Sequence, residues 1–387
     1  MFKIQTLDKI SSIGLEKLPR DNYEIASEFI NPDGIILRSF KMNDMELPAS
    51  LKAVARAGAG VNNIPIERCS EKGIIVFNTP GANANGVKEL VLASLFLSSR
   101  KIVQGIAWAK TLKDKGDEVT KLVEKGKNDY IGPEIKGKTL GVIGLGAIGV
   151  MVANDAISLG MKVMGFDPFI SVESAWGLSR EVERATVLDN LIQTCDYITI
   201  HVPLTDQTKG LIDKDRFSLM KKGIRLLNFS RNGLVNNGDL KEAIKKGIVD
   251  CYVTDFPDQE LLLMDNVIAI PHLGASTPEA EDNCAVMAAE QLRDFLENGN
   301  IKNSVNFPEC YLQPSGKVRL LIANKNIPNM VSQITSVLAG TGANISDMLN
   351  KHKGDFAYNI IDLDSKITQE QLDAIKIIPG VIMVRLV

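Results

Sequence analysis

One stretch of this 387-residue chain has the residue types and spacing needed to hold a dinucleotide. Gly144-x-Gly146-x-x-Gly149 follows the apolar run Leu140–Ile143 and opens a helix-like segment, and a second apolar run, Val163–Phe166, ends at Asp167. The first glycine permits a tight turn, the second leaves no side chain where a pyrophosphate must approach, and the third lets the helix pack close to the sheet. Free N–H groups and the partial positive charge at the helix start, beside Ala147 and Ile148, suit phosphates. The Asp167 carboxylate can accept from ribose hydroxyls and would repel a 2′-phosphate, so the stretch predicts NAD rather than NADP.

Oxidation of an alcohol at a nicotinamide needs a base for the hydroxyl proton and a cation for the substrate. Histidine is the natural base near neutral pH, and the chain has three. His352 lies between Lys351 and Lys353 and reads as a solvated turn residue. His201, in His201-Val202-Pro203, ends an apolar run and reads as lining the cofactor cleft. His272, in the loop Pro271-His272-Leu273-Gly274, is the candidate base. Arg231 follows another run and suits a carboxylate through bidentate, charge-assisted hydrogen bonds. Asp255 and Glu260 follow a third, and a Glu reaching His272 would favour the imidazolium.

The elements that must position these residues follow from the apolar pattern. From residue 139 onward, strands alternate with helices, including Tyr197–Val202, Ile224–Phe229, Cys251–Thr254 and Val267–Ile270, which predicts a doubly wound parallel sheet. Before it, Phe2–Leu7, Gly34–Leu37, Lys52–Ala55 and Ile74–Phe77 read as a smaller parallel sheet. Its turns, at Arg38-Ser39, Gly58–Asn63 and Asn78–Asn83, form a candidate anion-binding rim. Residues 87–112 read as helical, as does Pro278–Asn298, which ends at Gly299. Ser304–Ser315, with Gly316 beyond it, reads as a linker. The remainder predicts β-α-β-β-α-β, a ferredoxin-like order. The expected fold is therefore α/β, with domains at 1–88 and 275–314, at 89–274, and at 315–387.

A net charge of −3 with both signs interspersed argues against a nucleic-acid surface. No apolar stretch is long enough for a bilayer, and residues 1–20 lack the apolar core of a signal peptide. Five scattered cysteines without a CxxC read as reduced thiols in a cytoplasmic protein, and no metal site is expected.

The chain resembles the D-2-hydroxyacid dehydrogenase family, and its phosphoglycerate branch in particular. The matching text is Arg56–Ile64, Asn78–Asn83, Gly144–Gly149, His201–Thr205, Asn228–Val235 and Pro271–Thr277. The resemblance implies a flavodoxin-like substrate domain, an inserted Rossmann NAD domain and a C-terminal ACT domain. It implies NAD-dependent oxidation of D-3-phosphoglycerate to 3-phosphohydroxypyruvate, the opening step of L-serine biosynthesis. Reduction of another 2-oxo acid, such as hydroxypyruvate, and non-catalytic NAD sensing are the alternatives.

Residue by residue, the resemblance implies Arg231 as carboxylate binder, His272 as acid/base with Glu260 as its partner, and Asp255 near the nicotinamide amide. It also implies Arg38, Ser39, Gly60 and Asn83 around the substrate, a serine effector at Asn326 and Asn344, and a homodimer or homotetramer. The chain departs from the family pattern at Ala147, where Arg is common, and at Asn324 and Asn329, where His and Gly are usual.

Overall fold

In the computed structural model, residues 1–315, 318–340 and 343–387 are described. Gly316, read as part of the linker, lies outside them. The chain forms two compact units, Met1–Asn83 with Pro278–Val387, and Ala84–Thr277.

The second unit is built on a seven-stranded parallel sheet. Its spatial order is Val267–Ala269, Val249–Thr254, Ile224–Asn228, Tyr197–Ile200, Thr139–Ile143, Lys162–Phe166 and Glu183–Arg184. The direction of winding reverses between Thr139–Ile143 and Tyr197–Ile200, and such a switch point is where a doubly wound sheet binds its ligand. The central strands are buried on both faces, which explains their continuous apolar runs. Residues 87–112 are not one helix. Ala84–Arg100 and Ile102–Lys110 meet at a 67° bend where Lys101 turns left-handed, with φ 47°. Among the described residues no single helix is long and apolar enough to cross a membrane.

The first unit holds a five-stranded parallel sheet in the order Tyr23–Ala26, Phe2–Thr6, Gly34–Leu37, Ala53–Arg56, Ile75–Phe77. This is the flavodoxin-like order. Tyr23–Ala26 is an edge strand with no long apolar run, so its sequence pattern is weak. The helix Pro278–Asn298 covers the sheet with Ala288, Ala289, Leu292 and Phe295.

Residues 318–387 form a four-stranded antiparallel sheet in the order Ile345–Lys353, Phe356–Leu363, Val318–Lys325, Val381–Leu386, with helices Met330–Ala339 and Gln369–Lys376. One face of this sheet packs on the rest of the first unit. Leu321, Ala323, Tyr358 and Ile360 share a core with Phe77, Phe295, Leu296 and Phe307.

Ser304–Ser315 differs from the loose linker expected of its prolines. Phe307 and Cys310 are fully buried, and Asn306 bonds its side chain to Val76 N, Ser70 Oγ and Ile74 O. Apolar anchors and a buried amide bind it to the sheet edge, and a Pro/Gly pattern does not reveal them. All five cysteines are buried and unpaired.

Candidate active site

Strand register in the second unit builds the site. One row of paired residues crosses six strands: Ala269, Thr254, Asn228, Ile200, Ile143 and Phe166. The chain leaves every one of these strands at the same level. The next residues are Ile270, Asp255, Phe229, His201, Gly144 and Asp167. The sheet thus delivers the glycine loop, the candidate ribose carboxylate and three loops bearing ionisable groups to a single edge.

At the switch point Gly144 has φ 92°, and a Cβ there would fall 2.5 Å from the His201 carbonyl oxygen. Its N–H donates to Phe166 O at 2.8 Å. Gly149 has the opposite neighbour. A Cβ on it would lie 1.9 Å from Gly144 O, so the turn and the helix close on each other. Gly146, the N-cap of the helix Ala147–Ser158, has nothing within 4 Å of an added Cβ. This open space over free N–H groups, with no side-chain cap and no acid in the first turn, fits a pyrophosphate. Asp167 accepts from Leu145 N at 2.9 Å and Phe169 N at 2.8 Å, one bond to each carboxylate oxygen, which fixes its carboxylate beside the loop.

His201 lies with its backbone carbonyl against the Gly144 turn, and its Nε2 and Thr199 Oγ1 are 2.9 Å apart. Its Nδ1 is buried without a partner among the described residues, and burial lowers its pKa to about 4, so the ring is neutral. Val202 packs beside Gly144, and Pro203 O accepts from Thr208 Oγ1 at 2.6 Å, which pins the following turn.

Asp255 is 1% exposed. Its Oδ2 accepts from Gly274 N at 3.4 Å, while Oδ1 is buried with no partner among the described residues. Burial raises its pKa, and the charge of His272, the Gly274 N–H and the charge of Arg231 oppose that rise without cancelling it. An orphaned acceptor at this edge fits a carboxamide N–H of a nicotinamide. The same couplings bring Arg231 and His272 within electrostatic range of one carboxylate.

Arg231 is held by a turn that the sequence alone did not explain. Asn228, almost fully buried, donates from Nδ2 to Arg231 O at 2.9 Å and accepts from Ser230 N at 3.1 Å. Ser230 Oγ donates to Ile200 O on the neighbouring strand at 2.7 Å. The guanidinium is exposed and donates from Nη1 to Ser230 O, and its other N–H groups have no partner among the described residues, so donors remain for a ligand. His272 is exposed, its ring 4.8 Å from that of Phe256, a contact no spacing rule would have found.

Glu260 differs from its expected place. It is exposed, it precedes the short 3₁₀ turn Leu261–Leu263 without a side-chain cap bond, and among the described residues no hydrogen bond or ion pair joins it to His272. The loop is held instead by Asp258, which accepts from Leu261 N at 2.9 Å and Asn237 Nδ2 at 2.7 Å.

The rim residues lie in the first unit, and two of their anion-binding groups are already engaged. Backbone N–H groups of Arg38, Ser39 and Phe40 converge on Asp8 Oδ2 at 2.7, 2.9 and 2.9 Å. Burial pushes Asp8 up, and these three donors outweigh it, leaving the carboxyl below its ordinary range. Arg38 Nη1 pairs with Glu281 Oε1 at 2.5 Å. A Cβ added at Gly60 would meet nothing closer than Asn62 Oδ1 at 3.9 Å, and Asn83 is half-buried at the unit boundary.

In the C-terminal sheet Asn326 donates to Gly354 O at 3.1 Å and Asn344 to Asp364 Oδ2 at 2.5 Å. Asn324 is buried and accepts from Asn359 Nδ2 at 2.8 Å, and Asn329 holds the left-handed φ of 67° that glycine would take.

Residues 93–274 match the family model described as D-isomer specific 2-hydroxyacid dehydrogenase, NAD binding domain. The D-3-phosphoglycerate dehydrogenase of Methanocaldococcus jannaschii is 35% identical over 80% of this chain and 59% of its own length. That of Bacillus subtilis is 33% identical over 86% of this chain and 64% of its own length. The chain thus spans about three fifths of the length of these relatives. A solved structure, NAD⁺-bound 3-phosphoglycerate dehydrogenase of Entamoeba histolytica, is 27% identical, with a TM-score of 0.61 over 79% of this chain and 98% of that one. The glycine loop, the sheet order and these matches agree on residues 93–274, which match the NAD binding domain of the D-isomer specific 2-hydroxyacid dehydrogenases.

Proposed function

We propose that this protein is an NAD-dependent dehydrogenase that oxidises D-3-phosphoglycerate to 3-phosphohydroxypyruvate, at the start of L-serine synthesis in the cytoplasm. The observation that carries the chemistry is the common edge bearing Arg231, Asp255 and His272 beside the glycine loop. NAD, when bound, supplies the hydride acceptor. Gly144, Gly146 and Gly149 with the start of the helix Ala147–Ser158 hold its pyrophosphate, Asp167 its ribose, and Asp255 Oδ1 its carboxamide.

Arg231 binds the substrate carboxylate through its free guanidinium N–H groups, and so orients C2. A ring nitrogen of His272 accepts the C2 hydroxyl proton, with the tilted Phe256 ring packed against the imidazole. Closure of Glu260 onto His272 with substrate bound would stabilise the imidazolium, since hydrogen bonds at such sites tighten in the substrate complex. Residues 315–387 are proposed as a serine-sensing ACT module, with Asn326 and Asn344 as effector contacts, in a homodimer or homotetramer.

The test is NADH formation on addition of D-3-phosphoglycerate, against a panel that includes D-glycerate, hydroxypyruvate and D-lactate. Turnover confined to unphosphorylated acids would move the protein to the 2-oxo acid reductases. NAD binding with no turnover of any of them would leave a sensor. Calorimetric titration of the whole chain with L-serine tests the effector, and absence of binding would remove it.

A further inference from the structure

We infer that Tyr252 is a positioning residue: its buried hydroxyl, set between Asn228 and Thr254, fixes the spacing between the Arg231 turn and the loop that packs on His272. The inference rests on the reading above that Arg231 binds the substrate carboxylate and His272 is the base. All of these residues belong to the second unit.

Tyr252 lies in the strand Val249–Thr254 and pairs with Leu226 of the strand Ile224–Asn228. Alternation puts Tyr252 and Thr254 on one face, and Thr254 pairs with Asn228 on the neighbouring strand. Tyr252 and Asn228 are therefore diagonal neighbours, a separation that a long side chain can span. All three side chains are buried, so their polar atoms need partners inside the fold.

The partners they find link the two halves of the site. Asn228 Nδ2 donates to Arg231 O at 2.9 Å and to Tyr252 Oη at 3.3 Å, which occupies both of its hydrogens. On the other side Thr254 lies against the Tyr252 hydroxyl, and Thr254 Oγ1 accepts from Phe256 N at 3.2 Å. Phe256 is the residue whose ring lies 4.8 Å from that of His272. A run of polar contacts through Tyr252 thus leads from the Arg231 backbone to the residue packed on the imidazole. Burial raises the Tyr252 pKa to about 12. Asn228 and Thr254 pull it down, and the charges of Asp258 and Asp255 push it up. The hydroxyl is therefore neutral at working pH, and it can accept and donate at once.

Without that hydroxyl, Asn228 would keep its bond to Arg231 O and lose the one that ties its amide to the next strand. The amide could then turn, and the Arg231 turn would move with it. Carboxylate binder and base would fall out of line, and small misplacements of reacting groups are costly in rate.

The experiment uses the full chain as wild type, Tyr252→Phe, Arg231→Ala, His272→Ala and the double variant of Tyr252→Phe with Arg231→Ala. Tyr197→Phe is the control. It removes an equally buried hydroxyl from the same sheet, 2.7 Å from Ser99 Oγ and outside this run of contacts. Oxalate, titrated calorimetrically into the NADH complex, stands in for the substrate carboxylate. Tyr252→Phe is expected to bind oxalate about fivefold to tenfold more weakly and to lose at least as much in kcat/KM for D-3-phosphoglycerate, with NADH affinity unchanged. Tyr197→Phe should lower Tm and leave oxalate affinity and kcat/KM as in wild type. With Arg231 replaced by Ala, Tyr252→Phe should make no further difference to oxalate.

Wild-type oxalate affinity and turnover in Tyr252→Phe would overturn the inference. So would an equal loss in Tyr197→Phe, an undiminished loss in the Arg231→Ala background, or weaker NADH binding, each of which would mark a general loosening of the sheet. Normal turnover in both Arg231→Ala and His272→Ala would bring down the reading of the site, and this inference with it. Severe losses in those two variants beside an inert Tyr252→Phe would bring down the inference alone.

Discussion

His201 and Asp255 each sit one residue beyond the same row of the sheet, and burial pushes both toward the neutral form. For His201 the folded pKa of about 4 lies below the unfolded value of about 6.5. Between these values the unfolded chain binds the extra proton, so stability is full above pH 6.5 and falls as pH drops toward 4. The loss is on the order of 1–3 kcal/mol. Thermal melts of His201→Gln should therefore lose less Tm between pH 6.5 and 4.5 than wild type, and parallel curves would count against this linkage.

His272 is exposed and lies within electrostatic range of Asp255. Replacing it with Ala should cut kcat by about 10²–10⁴-fold with NAD affinity intact. Near-normal turnover would rule out its role as base. Glu260 is the informative third residue. Because it makes no bond to His272 here, Glu260→Gln should alter the acid limb of the pH–rate profile only if the loop closes with substrate bound.

At the scale of elements, the glycine loop and its helix act as one rigid device. A methyl on Gly149 would strike the Gly144 carbonyl at 1.9 Å, a backbone atom that no rotamer change can move. Gly149→Ala should therefore weaken NAD binding more than tenfold in a fluorescence titration while the far-UV spectrum stays native. Retained affinity would show that the turn can open elsewhere. Gly146→Ala is the contrast, since its Cβ meets empty space in the protein, and any loss there reports contact with the cofactor alone.

Across the whole molecule, the first unit depends on its C-terminal sheet. Arg319 is 4% exposed and bonds in fork fashion to Asp362, at 2.7 and 2.9 Å, and also donates to Asn298 O, Leu312 O and Gln313 O. Arg385 donates to Phe295 O and Leu296 O near the C-terminal end of the helix Pro278–Asn298 and lies over the Phe295 ring. Arg319→Met removes the forked guanidinium from a buried carboxylate and should cost about 3–5 kcal/mol in chemical denaturation. Equal stability to wild type would mean that Asp362 is protonated or rehydrated at little cost. Ending the chain after Pro314 would uncover the core around Phe295, Leu296 and Phe307, so the shortened protein should aggregate or melt early rather than behave as a trimmed enzyme.

The sequence by itself determined what depends on local backbone geometry and on period. The glycine loop, the β-α alternation, the helix Pro278–Asn298 and the ferredoxin-like order of the C-terminal strands were all legible. So were Arg231, Asp255 and His272 as candidates, because each follows an apolar run that must be a buried parallel strand. Tertiary structure decided what depends on register and on distant partners. It placed one row of residues from Ala269 to Phe166 across six strands, which no single segment encodes. It set Asn228 and Ser230 to brace Arg231, and Phe256 against His272. It left Glu260 apart from His272, and it filled the N–H groups of the expected anion rim with Asp8, thirty residues away in sequence from Arg38. Spacing fixes which residues can share a strand end. Charge pairing across the fold settles which of them are free to meet a ligand.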